Sequence, residues 1–241
     1  MSLGYWASAK VSAGGFVPTD ITGCKLWMDA DDAATITATG ADVTAWYDKS
    51  ASGQDFTVTG ANKPQTGTRT QNARNVLDFG VTGSTTPIST AANQIVSQPL
   101  TVFYVAITDV PTVVGKNRIL CNRYGLAFQV VHSDGSVGSR TALGYAGVSF
   151  VKSAADSVST AVWGVGTIEF NGGTSLAYIN GVAGTPSYPG EQGLNIGKIG
   201  ARGDDGTPLD GAIAEIVVYD SVLSTTDRES VEDYLTTKWA I

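Results

Sequence analysis

The chain has 241 residues, 42% hydrophobic and 15% charged, against a usual charged share of about 25%. That apolar content supports a sizeable core and excludes wholesale disorder, and 29 glycines without a G-X-Y period exclude collagen. Fifteen basic against 22 acidic residues give a net charge of −7 with no basic cluster, so nucleic acid is not an expected partner. Membrane insertion is not expected either, because no apolar run approaches the ~18 residues of a span.

Residues 1–22 are rich in small residues and carry three large rings, Tyr5, Trp6 and Phe16. Gly14-Gly15 and Pro18 interrupt the segment, which argues against a helix. Two readings stay open for it: an extended arm that docks on another subunit or on its own domain, or a first edge strand. The start lacks an apolar run of signal-peptide type, so export is not expected. Cys24 and Cys121 are too few for a disulfide framework and read as small buried hydrophobes, although their pairing stays open.

From residue 24 onward, short apolar runs alternate with turn chemistry. The clearest strands are 101–108, 125–132, 162–170, 175–180, 194–199 and 212–219, all rich in Val, Ile, Phe and Tyr. Asn171-Gly172-Gly173 joins two of them. Asn180-Gly181 tolerates positive φ at both central positions, which predicts a tight hairpin and therefore antiparallel neighbours. Strand–helix alternation is missing, which excludes a parallel α/β sheet. One helix is predicted near the C-terminus. Ser224 to Asp227 has capping-box spacing, and Val231, Leu235 and Trp239 recur every four residues as one buried face.

Several segments resemble a known group in their order along the chain. They are Leu26-Trp27-Met28-Asp29-Ala30-Asp31-Asp32, Val43-Thr44-Ala45-Trp46-Tyr47-Asp48-Lys49-Ser50, Lys63-Pro64 and Asn75-Val76-Leu77-Asp78-Phe79. Tyr178-Ile179-Asn180-Gly181, Ile196-Gly197, the run from Gly211 to Asp220, Leu223-Ser224, the helix residues Val231 to Leu235, and Lys238-Trp239 complete the set. Together they resemble concanavalin A-like lectin/glucanase jelly rolls of the laminin-G-like type, as found in bacteriophage structural proteins and bacterial surface proteins. The resemblance covers roughly residues 24–239. It implies an all-β, antiparallel two-sheet jelly-roll sandwich over residues 23–241, with one C-terminal helix and an N-terminal arm over 1–22. It also implies a structural role for Glu215. The turn Phe79-Gly80-Val81-Thr82-Gly83-Ser84 departs from the family by carrying no carboxylate, so no ligand role is carried over there.

The chemistry-bearing residues are sparse. A retaining glycosidase on this fold needs two carboxylates roughly 5 Å apart, which calls for a pattern such as E-x-D-x-x-E. Glu169, Glu191 and Glu215 each lack a carboxylate two residues on, and Glu229 and Glu232 fall on the helix. His132 is the one histidine; it alternates with Leu126, Phe128 and Val130 and is expected in the core or at its rim with a backbone partner. A zinc site and serine or cysteine nucleophile chemistry lack the further residues they require. The protein is therefore expected not to be an enzyme and to need no cofactor. Calcium is the one metal to weigh, and its candidates are Asp204, Asp205 and Asp210. A second cluster, Asp29, Asp31 and Asp32, reads as turn chemistry. Trp46, Tyr47 and Asp48 are the candidates for sugar stacking, although each tryptophan reads more strongly as core than as ligand contact. Arg202-Gly203-Asp204 spells an adhesion tripeptide but suits a tight loop.

Two functions follow. The first is a non-enzymatic bacteriophage virion component, a capsid decoration or tail accessory made in the host cytoplasm. It would form a homo-oligomer and attach to other virion proteins through Tyr5, Trp6 and Phe16. The alternative is a lectin-like module that binds host surface glycans.

Overall fold

The computed structural model describes residues 15–58, 60–80, 87–90, 94–109, 117–122, 129–132, 142–154, 161–201 and 208–241. Among these, two antiparallel sheets face each other and one α-helix, Thr225–Trp239, lies across the outer side of the first. The first sheet runs in the order Cys24–Asp29, Gly211–Tyr219, Leu100–Thr108, Gly164–Phe170, Leu176–Ile179 and Val182–Ala183, with Leu77–Asp78 paired to Gly211–Tyr219. The second runs Phe150–Lys152, Leu143–Tyr145, Gln129–Val131, Arg118–Asn122, Leu194–Ile199, Ile88–Ser89, Phe56–Thr57, Asp42–Trp46 and Ile36–Thr39. Ile95–Val96 adds to Leu194–Ile199, and Thr70–Gln71 pairs with Arg74–Asn75 in a separate ribbon. The chain is an all-β antiparallel sandwich.

The two central strands explain the layering. Leu100–Thr108 and Gly211–Tyr219 are buried along all nine residues because both of their faces are covered. Val102, Tyr104 and Ala106 enter the inter-sheet core, while Phe103, Val105 and Ile107 meet the helix side. On the facing strand the register slips between Val105 and Ala106. This bulge resets the alternation, so Ala214 and Glu215 both turn toward the helix while Ile213 returns to the inter-sheet core. A Cβ on Gly166 would lie 2.1 Å from the Tyr104 ring, so only glycine lets that ring cross its neighbour strand.

The predicted helix is found where its signals lie. Ser224 Oγ accepts the Asp227 N–H at 3.1 Å, and Val231, Leu235 and Trp239 are fully buried against Trp27, Phe103, Val217 and Tyr219. It ends on Ala240 at φ +51°, a left-handed position without glycine. The expected strands 101–108, 175–180, 194–199 and 212–219 are found within a residue at either end. Asn180 and Gly181 both take positive φ, as the hairpin requires. Of 125–132, only Gln129–Val131 is a described strand, and residues 123–128 lie outside the described residues. The strand expected from 162 begins at Gly164, because Ala161 is left-handed and Val162 points outward.

Of the proposed arm, residues 15–22 are described, and they form one 3-10 turn, Pro18–Asp20, rather than an edge strand. Phe16 sets its ring edge-on to Tyr234 of the chain's own helix, 5.9 Å between centroids. Val17 and Ile21 join the same apolar layer, and Tyr219 donates its hydroxyl to the Pro18 carbonyl at 2.8 Å. Phe16 thus packs, half-buried, on this domain's own helix, one of the two dockings left open for the arm. Tyr5 and Trp6 lie outside the described residues.

Candidate functional site

The expected sugar triad comes apart. Trp46 is fully buried in the inter-sheet core and donates its indole N–H to the Asp29 carbonyl at 3.3 Å, so no ligand can stack on it. Asp48 ties a turn: its two oxygens accept the Trp27, Ser50 and Gln54 backbone N–H groups and the Ser50 hydroxyl, at 2.7–3.0 Å. Tyr47 alone stays open, at 40% exposure. Strand alternation would separate Trp46 from Tyr47 in any sheet. Trp46 and Asp48 are corrected from ligand contacts to scaffold.

The motif residues converge instead on a buried charge network beneath the helix. Glu215 is fully buried and accepts from Trp27 Nε1 (2.7 Å), Tyr234 Oη (2.9 Å), Trp239 Nε1 (2.8 Å) and Lys238 Nζ (2.9 Å). Lys238 also reaches Asp29 at 2.7 Å, and Lys49 reaches Asp29 and Asp32 at 2.9 and 2.8 Å while sitting 4.2 Å from the Trp27 ring centre. Burial pushes the Glu215 carboxyl up, and the Lys238 ammonium opposes that push. Four donors on two oxygens leave this carboxylate no free lone pair for a substrate. Glu169 has other partners. Its carboxylate accepts the Tyr178 hydroxyl at 3.3 Å and faces Arg228 at 3.8 Å, and Arg228 also pairs with Glu232 at 2.5 Å. A guanidinium thus stands between Glu169 and Glu232.

Of the calcium candidates, Asp204 and Asp205 lie outside the described residues, as does the adhesion tripeptide. Asp210 sits beside Gly80 with Asp78 and Asp109, and Arg69 supplies the countercharge through a bidentate pair to Asp109 at 2.7 Å. Among the described residues no group of three or more His, Cys, Asp or Glu side chains is arranged to hold a metal. Asp32 caps a 3-10 turn through Ala34 N–H, Asp29 accepts Asp31 N–H, and Asp31 pairs with Arg74. No described helix is long and apolar enough to cross a membrane. Neither Cys24 nor Cys121 is in a disulfide, and burial pushes the Cys24 thiol up to about 12.

His132 is fully buried, as expected for a core histidine, but neither ring nitrogen has a hydrogen-bond partner among the described residues. The expected backbone partner serves its main chain only, with His132 N–H donating to the Asn117 carbonyl. The ring meets Tyr104 edge-on at 5.6 Å, and burial pulls its pKa down to about 4.

The open chemistry lies at the far edge of the second sheet. Tyr145 and Phe150 stand directly opposite each other on the last two strands, ring centroids 5.1 Å apart and planes tilted by 46°. Val130 and Val151 face the core, so the ring pair lies on the opposite face, where Gln129, Val131 and Leu143 are buried and Tyr145 is half-buried. Phe150 is 37% exposed and Tyr188, on the adjoining segment, 44%. The turn between the strands is fixed: Ala146, Val148 and Ser149 all donate N–H to the Pro189 carbonyl at 3.0–3.2 Å, and Ser149 Oγ donates to the Tyr188 carbonyl at 2.7 Å. Gln98 braces the segment from behind, donating to Gly190 and Gln192 carbonyls at 2.9 and 3.0 Å. Exposed Ser149, Lys152 and Gln192 flank the rings, and the Gln129 side chain beside Tyr145 is held by Arg118 at 2.7 Å. Sequence reasoning passed over this site. Two three-residue strands are too short for a periodic signal, and the one cue was an aromatic alternating with Val151 and Lys152.

No protein-family model and no curated protein matches the chain. Solved structures do. Domain 4 of AbnA, a GH43 extracellular arabinanase from Geobacillus stearothermophilus, in complex with arabinotriose, is similar at TM-score 0.62 and 13% identity, over 85% of this chain and 96% of that one. The receptor binding domain of botulinum neurotoxin D is similar at 0.58 and 15%, over 88% of this chain and 53% of that one. Trypanosoma rangeli sialidase in complex with sialic acid follows at 0.50 and 15%, over 95% of this chain and 35% of that one. At these identities the likeness is one of fold: the chain shares the β-sandwich of domains from carbohydrate-acting proteins and of a receptor-binding domain.

Proposed function

We propose that the chain is a non-catalytic carbohydrate-binding module that holds a glycan over Tyr145, Phe150 and Tyr188. The observation that carries this reading is a tilted ring pair, Phe150 exposed and Tyr145 half-buried, on a braced hairpin flanked by amide and ammonium donors. Sugars present C–H faces that pack on aromatic rings and hydroxyls that pair with such donors, so the two features suit one ligand class. The similar domain of the arabinanase, in its complex with arabinotriose, supports the reading by analogy and suggests the first probe. The absence of catalysis is argued from Glu215, spent on four donors beneath the helix, and from Glu169, separated from Glu232 by Arg228. The virion-component reading keeps only its sequence resemblance.

The test is calorimetric titration with arabinotriose and a panel of other oligosaccharides. Saturable binding, lost in Phe150→Ala with the melting temperature retained, is the expected result. Binding to none of the panel, or binding that Phe150→Ala leaves intact, would refute the site. Release of reducing ends from a polysaccharide, abolished by Glu169→Gln, would refute the non-catalytic part.

A further inference from the structure

The geometry of the ring pair points to a narrower ligand class, and we infer that the site takes a single, soluble, twisted glycan chain rather than the flat face of a crystalline polysaccharide. The inference rests on the carbohydrate-binding reading and deepens it.

A crystalline polysaccharide presents one plane of sugar rings, and a protein grips it by offering several aromatic faces in a common plane. Tyr145 and Phe150 do not form such a plane. Their normals diverge by 46° with centroids only 5.1 Å apart, so a flat surface laid on one ring lifts off the other. Repacking them is hindered at both ends. Tyr145 and Phe150 are paired in register across the two strands, and the turn joining those strands is closed by three N–H groups on the Pro189 carbonyl. Val148, 64% exposed at the tip of that turn, and Tyr188 beyond it add further relief at the edge of the sheet. A chain whose successive sugars rotate about its axis can instead follow the tilt, one sugar face per ring. Its free hydroxyls would then meet the Lys152 ammonium and the Gln192 amide, which are exposed around the rings. A crystal surface has most such hydroxyls already paired within the lattice, so these donors would find few partners there.

A protein partner is the competing occupant. It would seek a continuous apolar centre, whereas here the exposed apolar side chains are interleaved with polar ones.

The deciding experiment uses the full chain in two assays run side by side: migration through native gels containing soluble arabinan or other soluble polysaccharides, and depletion from solution by microcrystalline cellulose and chitin. Retardation by at least one soluble polysaccharide with no depletion by either crystalline powder is expected. Tyr145→Ala and Phe150→Ala should each weaken the retardation about tenfold, the effect of losing roughly 1.4 kcal/mol. Depletion by the crystalline powders that soluble chains do not compete would overturn the inference and leave the carbohydrate-binding reading standing. Failure in both assays would overturn the two together.

Discussion

Two regions of the molecule use aromatic side chains in opposite ways. Under the helix, Trp27, Tyr234 and Trp239 surround Glu215, Asp29, Lys49 and Lys238, and their polar atoms point inward to a closed set of partners. At the edge of the second sheet, Tyr145 and Phe150 lie on the face away from the inter-sheet core, Phe150 exposed and Tyr145 half-buried, and the hydrogen bonds that fix their turn come from the backbone behind. Every residue named in the first region falls in a segment by which the sequence resembles a family; Tyr145 and Phe150 fall in none. Recognisable motifs here mark the scaffold, because a buried charge network tolerates few substitutions. The surface that meets a ligand is free to differ.

The sharpest way to break this contrast is to remove the centre of the network. Glu215→Ala leaves Trp27, Tyr234 and Trp239 without their shared acceptor and Lys238 with Asp29 as its remaining carboxylate, and should cost about 3–5 kcal/mol in chemical denaturation. A loss under about 1 kcal/mol would show that the network is incidental. Trp46→Ala should cost about 3–5 kcal/mol by leaving a cavity between the sheets. A glycan-binding defect in that variant without a stability loss would return Trp46 to the ligand.

His132 sharpens the contrast through pH. Its folded pKa lies near 4, below the ordinary 6.5, because burial disfavours the charged ring. The unfolded chain takes up the proton first, so stability is full above about pH 6.5 and falls as the pH drops toward 4. The loss approaches about 3 kcal/mol at the lower end. Unfolding curves across that window should show the slope, and His132→Leu should flatten it; an unchanged slope would assign the acid sensitivity to carboxylates. The smallest stability effect belongs to Phe150→Ala, at or below about 1 kcal/mol for a partly exposed edge residue. If that variant unfolds as readily as Trp46→Ala, the ring pair belongs to the scaffold after all.

Much of the fold was legible from the sequence, and the candidate site was not. The strands near 101–108 and 212–219 announce themselves because continuous Val, Ile and Tyr runs are what a strand covered on both faces needs. The helix is legible from Ser224 and the spacing of Val231, Leu235 and Trp239. By contrast, Phe150-Val151-Lys152 carries one exposed ring in three residues, and nothing local says that Tyr145 stands opposite it. Trp46-Tyr47-Asp48 misled for the complementary reason. Adjacency in sequence suggests a shared site, but alternation along the strand sends the indole inward and the phenol outward.

What the chain determined by itself was the alternation of apolar and polar residues, the turn chemistry and the helix cap, since these depend on neighbours a few positions away. What only the tertiary structure decided was which polar groups meet. Lys238 finds Asp29 across 209 positions and Trp27 finds Glu215 across 188. Such pairings depend on how sheets and helix close on one another, and through the bulge at Ala214 a single extra residue determines that a carboxylate faces the helix.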